Sequence, residues 1–541
     1  MHWRLLVFVF LSFNSYSQKK YKLLVNFTDK NQSEYTLSDP QNYLSERALY
    51  RRQIQGIEIK LNDLPVNIQY VDKVLDLGAV SMVLRSKWMN AVLVSFQDYL
   101  LIEQVNNLDC VSSVKILDSP NSFHHPDNKR NLEVLNRAAL DYGKGDRQVE
   151  MHNLHLLHQL GYTGRGMQIA VFDSGFNGAD SLEAFEYMHQ NGNLLGVEDF
   201  VNPIATDFYQ AGHGRSVLST MAAYLPGYFI GTAPDASYYL FRTEDESSET
   251  LVEEFNWLAA AEYADSLGVD IINSSLGYTT FNDSLENHNY NDMDGNTTIV
   301  TKAADWAASK GILVVNSAGN SGNGSWHYVG APADADSILT IGAVAYDSSK
   351  APFSSFGPTF DGRIKPTVVA RGLNAYVIDN QGERSTSNGT SFSSPIIAGA
   401  AACLWQAYPK ETNMSIINYI QRFGHQADSP DSLLGYGIPN FYNAYLELEN
   451  RNYFVPLEYI DLYPNPIMNQ FTINYFSQSR KLVELAIYDV LGRKVLTQFH
   501  EVKEGRNRIE VSVDWGNYSD SIYVIQINYG GQLLSKKILK F

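Results

Sequence analysis

Cysteine is nearly absent: Cys110 and Cys403 are the only two in 541 residues. A disulfide framework is therefore excluded as the main source of stability. Cys403 stands in an apolar helical run (Ala400, Ala401, Ala402, Leu404), where a buried, inert thiol is expected. Positive charge is also scarce, with 41 lysines and arginines against 59 aspartates and glutamates and a formal charge of −18. Nucleic-acid binding needs clustered cations, so a nucleic-acid partner is excluded. An acidic surface suits a soluble protein working outside the cell. Long apolar runs are missing, with one short exception at the start. Arg4, the run Leu5–Phe13 and the small residues of Ser15-Tyr16-Ser17 have the form of a signal peptide. The run is too short to span a bilayer as a helix. Residues 1–17 are read as that signal, the pro-form as starting at Gln18, and no transmembrane anchor is expected elsewhere. Solenoid repeats and low-complexity tracts are absent as well.

What is present is globular: 44% of residues are hydrophobic and 18% charged. The length predicts about three units. Residues 18–117 mix strand-like runs (Tyr21–Phe27, Ala91–Phe96, Val114–Leu117) with a polar helical stretch at Tyr43–Gln55, a small α+β unit. Arg47, Arg51 and Arg52 in that stretch read as a solvated helix face. Ser119–Arg130, rich in Pro, Asn and His, reads as an exposed linker, so the first unit with its linker is 18–130. From about Tyr142 to 448, apolar strands (Gln168–Phe172, Tyr238–Phe241, Val269–Asn273, Ile312–Val315, Leu339–Val344) alternate with helices (Val217–Tyr224, Val252–Leu267, Ile299–Lys310, Phe392–Tyr408). That alternation predicts an α/β fold, a parallel sheet sandwiched by helices. Functional residues should gather beyond the carboxyl ends of its strands. Residues 456–541 carry short strands (Phe471–Tyr475, Leu482–Asp489, Arg508–Val513, Ile522–Tyr529) separated by turn signals such as Gly530-Gly531, a small β-sandwich.

Four segments carry chemistry. Ile169–Gly175 sets Asp173 just past a buried strand, where a carboxylate can orient an imidazole. Gly212-His213-Gly214-Arg215 precedes a helix expected at Ser216–Ala222, and His213 could serve as a general base. Gly389-Thr390-Ser391-Phe392-Ser393-Ser394-Pro395 leads into a long apolar run. Ser391 would sit at a helix start, where N–H groups favour negative charge, with Pro395 near that start. In Ser317-Ala318-Gly319-Asn320, the Asn320 amide can donate to an oxyanion and Gly319 permits close approach of substrate.

In combination, Asp173-Ser174-Gly175, His213-Gly214, Ser275-Leu276-Gly277, Ala318-Gly319-Asn320 and Gly389–Pro395 resemble the subtilisin-like serine peptidase family over about residues 142–448. The resemblance implies Ser391 as nucleophile, His213 as its base, Asp173 as the orienting acid and Asn320 with the Ser391 N–H as the oxyanion site. Ser275, Leu276 and Gly277, with Ala318 and Gly319, would line an extended edge that binds protein or peptide substrate. Two residues depart from the family pattern: Arg215 after His213-Gly214, and Arg371 after Lys365–Ala370. The first unit resembles the family's inhibitory propeptides. The last resembles the sorting domain of type IX secretion, through Tyr463-Pro464-Asn465-Pro466, Leu491–Val495 and Lys537–Phe541, which implies the type IX machinery as a partner and a secreted or cell-surface location. No cofactor is implied. Structural calcium occurs in the family, but no ligand set is readable here. Asp292–Asn296 lacks a closing glutamate, and His152, His155 and His158 fan across a wide helical arc. A non-catalytic surface adhesin would lack a triad residue, and none is missing. An esterase would show a Gly-x-Ser-x-Gly elbow, which is absent around Ser391.

Overall fold

A computed structural model describes residues 21–78, 80–118, 140–202, 211–379, 381–452, 460–463, 470–477, 480–503, 505–516, 518–519, 521–529 and 532–540. The signal peptide, the Ser119–Arg130 linker, Pro464-Asn465-Pro466, Gly530-Gly531 and Phe541 lie outside the described residues. The chain forms two compact units, Met1–Tyr445 and Leu446–Phe541.

The first unit begins with strands β1 (Tyr21–Phe27), β2 (Val80–Ser86), β3 (Ala91–Phe96) and β4 (Val111–Asp118), in the order β2-β3-β1-β4. Helices α1 (Glu46–Gln55), α2 (Ile68–Leu75) and α3 (Leu101–Asn106) accompany this sheet. Leu23, Val25, Phe27, Val71, Val92 and Val94 share one core. Ser45 caps α1 by accepting from the Ala48 N–H, and Gly56 ends it at φ 67°. Of the three arginines expected on a solvated face of α1, only Arg47 is partly exposed. Arg51 and Arg52 are 5% and 1% exposed and pair with Asp265 in the next part of the chain. A polar helix reads the same in sequence whether its charges meet water or fixed carboxylates.

Next come β5 (Gln168–Asp173), β6 (Leu194–Asp199), a hairpin of β7 (Tyr224–Leu225) and β8 (Phe229–Ile230), β9 (Ser237–Arg242), β10 (Ile271–Ser274), β11 (Leu313–Ser317), β12 (Leu339–Val344), β13 (Val368–Arg371) and a second hairpin, β14 (Ala375–Ile378) and β15 (Arg384–Ser387). Seven of them form a parallel sheet, β13-β12-β11-β10-β5-β9-β6. The helices are α4 (Asp146–Glu150), α5 (Leu154–Gln159), α6 (Glu183–Gln190), α7 (His213–Ala222), α8 (Leu251–Leu267), α9 (Ile299–Ser309), α10 (Thr390–Ala407), α11 (Asn413–Arg422) and α12 (Phe441–Asn452). A Thr250–Glu253 capping box starts α8 and left-handed Gly268 ends it. Ile272 and Val314 pack with α8 and α9, while α7 and α10 cover the other face. Strands buried on both sides explain the unbroken apolar runs of the sequence. From β5 the chain goes out to β6 and back to β9, then crosses to β10 on the other side. That reversal puts a crevice beyond the carboxyl ends of β5 and β10.

The second unit pairs β16 (Ile460–Tyr463), β17 (Gln470–Ser477) and β20 (Gly505–Ser512) in one antiparallel sheet. The other contains β18 (Lys481–Tyr488), β19 (Lys494–Val502), β21 (Ser521–Tyr529) and β22 (Gln532–Lys540). Ile473, Val511, Leu485 and Ile525, drawn from both sheets, share its core, giving the expected β-sandwich.

Candidate active site

Asp173 is the last residue of β5 and is fully buried. Its Oδ1 accepts from the Ser174 N–H at 2.8 Å and lies 2.7 Å from His213 Nδ1. Sequence put His213 in a loop, but it is the first residue of α7. Gly214 allows this, since a Cβ there would meet Gly175 O at 2.6 Å and the Asp173 Cβ at 2.8 Å. The His213 side chain remains 32% exposed. Burial pulls its pKa down, but the charge and hydrogen bond of Asp173, with help from Glu246, bring it net above the ordinary histidine value. Glu246 itself accepts from Ser174 Oγ at 2.8 Å.

Ser391 is the second residue of α10, and its N–H has no protein acceptor among the described residues. Its Oγ donates to Ser275 O at 3.4 Å and makes no hydrogen bond to His213 among the described residues. Catalytic hydrogen bonds are often this loose before substrate arrives. Pro395 was expected near the helix start, yet it stands at the sixth position, inside α10. Lacking an N–H, it leaves the Ser391 carbonyl free, and that carbonyl accepts from Ser275 Oγ at 2.9 Å. The helix defect thus ties the serine to the strand beside it.

The Asn320 carboxamide is oriented by Thr390, whose N–H and hydroxyl both donate to Oδ1, at 2.9 and 3.0 Å. A backbone N–H can only donate, so the oxygen is fixed and Nδ2 turns the other way. A Cβ built on Gly389 would lie 3.6 Å from Ser391 N and 3.7 Å from Asn320 Nδ2, so both nitrogens border one small space. The Gly319 N–H donates to Thr390 Oγ1 at 3.1 Å, and Gly319 itself has φ 101°, a conformation that favours glycine. Ala318 is held by Ile341 O at 2.9 Å. Leu276 O accepts from Asn316 Nδ2 at 3.1 Å, while the Gly277 backbone has no partner among the described residues. All nine residues singled out from sequence therefore lie at or just beyond the carboxyl ends of β5, β10 and β11 or at the starts of α7 and α10.

Residues 164–437, just over half of the chain, match the family model described as the subtilase family. The chain belongs to the subtilase family. Residues 22–132 match the peptidase S8 propeptide domain of Bacteroidota, and 461–540 the secretion system C-terminal sorting domain. Subtilisin NAT of Bacillus subtilis subsp. natto is 34% identical over 265 residues, 48% of this subtilase and 61% of that protein. A subtilisin of Bacillus pumilus is also 34% identical over 265 residues, covering 48% and 84%, and Subtilisin Savinase of Lederbergia lenta is 30% identical over 284, covering 52% and 92%. The chain thus spans about three fifths of the first relative's length.

The departures from the family pattern are structural in this subtilase. Arg215 is buried and joins Asn177 O, beyond the Asp173 loop, to Asp379 O. Arg371 caps Asn374 O at 2.7 Å. His152 and His158 are buried against backbone carbonyls, and burial lowers both to about 4. Cys403 is fully buried, its thiol donating to Thr232 O at 3.2 Å. Asp292 and Asp294 spend their carboxylates on neighbouring N–H and hydroxyl groups, and no group of three His, Cys, Asp or Glu among the described residues could hold a metal. No calcium ligand set is therefore assigned. Thr390 and Glu246 went unassigned in the sequence. The first is hidden in the serine motif; the second is one acid among many in Thr243–Thr250.

Proposed function

We propose that this subtilase is an exported serine endopeptidase that cleaves protein and peptide substrates through an acyl-enzyme. The observation that carries the reading is the convergence of the 2.7 Å Asp173–His213 pair and the two nitrogens beside Gly389 on the N-terminal turn that bears Ser391. Ser391 Oγ attacks the scissile carbonyl as His213 Nε2 takes its proton, and Asp173 holds the opposite ring nitrogen protonated. Asn320 Nδ2 and the Ser391 N–H receive the oxyanion. His213 then protonates the departing amine, and water, activated by the same imidazole, hydrolyses the ester. Ser275–Gly277 and Ala318-Gly319 offer backbone to an extended substrate, which favours flexible segments.

In this reading residues 18–130 are a propeptide with its linker, 142–448 the peptidase and 456–541 a sorting domain that engages the type IX machinery. Support for the flanking roles comes from the propeptide and sorting-domain matches. A fluorophosphonate should label Ser391 alone and depend on His213, and casein should be hydrolysed by wild type but not by Ser391→Ala. Labelling elsewhere, or ester hydrolysis without casein hydrolysis, would overturn the assignment. Loss of the N-terminal part should depend on Ser391. Truncation after Asn450 should keep activity and block export.

A further inference from the structure

At the front of the sheet, beyond the carboxyl ends of its strands, Arg215 is the third residue of α7 and departs from the family pattern. It is 3% exposed, and no carboxylate pairs with it among the described residues. Nη1 donates to Asn177 O and Nη2 to Asp379 O, while Nε is buried without a partner there. Asp379 turns its own Oδ1 to the N–H groups of Gln381 and Glu383, at 2.9 and 3.0 Å. Taking a cation out of water without a counterion is costly. What the chain gains here is a rigid, planar fork held between two carbonyls.

Those carbonyls belong to two different loops. Asn177 lies on the loop that leaves Asp173, and its N–H donates to Ala211 O at 2.7 Å, just ahead of His213. Asp379 follows β14 into the hairpin turn, and β15 then leads on to Ser391. The Ile378 N–H donates to Ser219 Oγ at 3.0 Å, which fixes that hairpin on α7. Leu182 sits between the loops: a Cβ on Gly178 would lie 3.1 Å from its Cδ1, and one on Gly382 3.2 Å from its Cδ2. Glu183 and Arg384, 2.6 Å apart, close the outer rim. In the proposed mechanism the acyl half of a substrate follows Ser275–Gly277 and Ala318-Gly319. The departing amine faces His213, which must protonate it. The chain beyond that amine therefore runs away from β10 and β11, over the loop after Asp173 and the hairpin before Ser391.

We propose that Arg215 is a positioning residue for the departing half of the substrate: by tying Asn177 O to Asp379 O it holds the two walls of the leaving-group channel at one spacing. The proposal rests on the peptidase reading of this site. The guanidinium makes no hydrogen bond to Asp173, His213, Asn320 or Ser391 among the described residues, so the acyl half is set by other bonds. A lysine ammonium is a point charge and does not span two carbonyls as a planar fork does.

The test compares two substrates on one preparation of enzyme, so that the folded fraction cancels. One is a peptide that continues for several residues past the scissile bond. The other is a p-nitroanilide with the same acyl half and no residue beyond it. Arg215→Ala should lower kcat/KM for the longer peptide about ten- to a hundredfold more than for the anilide. Arg215→Lys should recover little of that difference. A second readout is capture of the acyl-enzyme by an added dipeptide amide. Its amine attacks the ester carbonyl and gives its proton to His213, and the expelled Ser391 Oγ takes that proton up. The concentration that diverts half of the acyl-enzyme from water should rise about tenfold in Arg215→Ala. Should that variant fail to fold, Arg384→Ala, which opens only the outer rim, should show the same split at about two- to fivefold. An unchanged ratio between the two substrates, whether both have fallen or neither, overturns the proposal. Failure of the peptidase reading would appear instead as a wild-type enzyme that hydrolyses neither substrate.

Discussion

At the carboxyl ends of the central strands, single side chains stand on short turns and keep part of their bonding capacity free. Among the described residues the Ser391 N–H lacks a protein acceptor and the Gly277 backbone is unpaired, and the His213 side chain is a third exposed. At the amino ends most of that capacity is spent, although Arg52 Nε and Nη1 are buried without a hydrogen-bond partner among the described residues. There Arg51 alone makes four hydrogen bonds, and one buried carboxylate serves three cations. Unspent donors suit a site that must bind a transient charge. A site that must hold a partner for a long time gains from having few left over. In the proposed function the same sheet carries reaction at one end and attachment at the other, and substitutions at the two ends should separate cleanly.

Ser391→Ala is expected to have the largest effect, a fall in kcat of about a millionfold, the size known for the nucleophile of subtilisin. Urea unfolding should be unchanged, because the Oγ makes only a 3.4 Å hydrogen bond. A stability loss there would blur the contrast between the two ends. Asp265→Ala should do the reverse. Three buried cations would each lose one acceptor, Arg52 keeping Asp63, Arg51 the carbonyls of Val269 and Lys310, and Lys87 the Ser266 hydroxyl, at a cost of about 3–5 kcal/mol in the urea unfolding of the full chain on a Ser391→Ala background. With Ser391 present, kcat of the folded fraction should stay at the wild-type level. A lower kcat would mean that the rear end acts on the front.

Asn320→Ala comes next, with kcat down by about 10²–10³ and KM little altered, a magnitude borrowed from subtilisin. Thr390→Val gives a useful companion. It deletes the hydroxyl that braces Asn320 Oδ1 at 3.0 Å but keeps the Thr390 N–H bond at 2.9 Å, so its loss should be a fraction of the Asn320 effect. A KM change without a kcat change would make Asn320 a ground-state binding residue.

The two ends also differ in how far sequence could disclose them. Asp173, His213 and Ser391 each sit in a run of a few residues whose glycines and small side chains already describe a turn, so their places at strand and helix ends were readable locally, while the roles proposed for them rest on the resemblance to subtilisin-like peptidases. The parallel sheet was readable because strands buried on both faces must be apolar throughout, and β12 has the expected bounds. The rear end depends on pairs such as Arg51 and Asp265, 214 residues apart, and no local pattern joins them. Arg51 was misread because α1 is polar on every side. The start of α7 was misplaced for a related reason: Gly212 and Gly214 look like a loop until the packing against Asp173 is seen to demand them. β19 and β22 were missed because polar and apolar residues are interspersed along them without the strict period-two alternation that marks a half-buried strand.

Glu246→Gln should have the smallest effect and probes the electrostatics of the front end alone. His213 must be neutral to accept the Ser391 proton, so kcat/KM should fall as pH drops through its pKa. Burial alone would lower that pKa; Asp173 first, and then Glu246, raise it above the ordinary value of 6.5. Neutralising Glu246 removes one of the raising charges, so the acid limb should move to lower pH while the plateau stays level. The linked stability runs the other way. A histidine with a raised folded pKa contributes stability below its unfolded pKa and loses it as pH rises through the folded one. Glu246→Gln should therefore gain activity at mildly acid pH and lose a little of the stability present there, with stability at alkaline pH unaffected. The pair of pH profiles, one from hydrolysis and one from thermal unfolding, decides it. An unmoved acid limb would free His213 from Glu246, and a lowered plateau would show that Glu246 positions Ser174 and Asp173 instead of charging the imidazole.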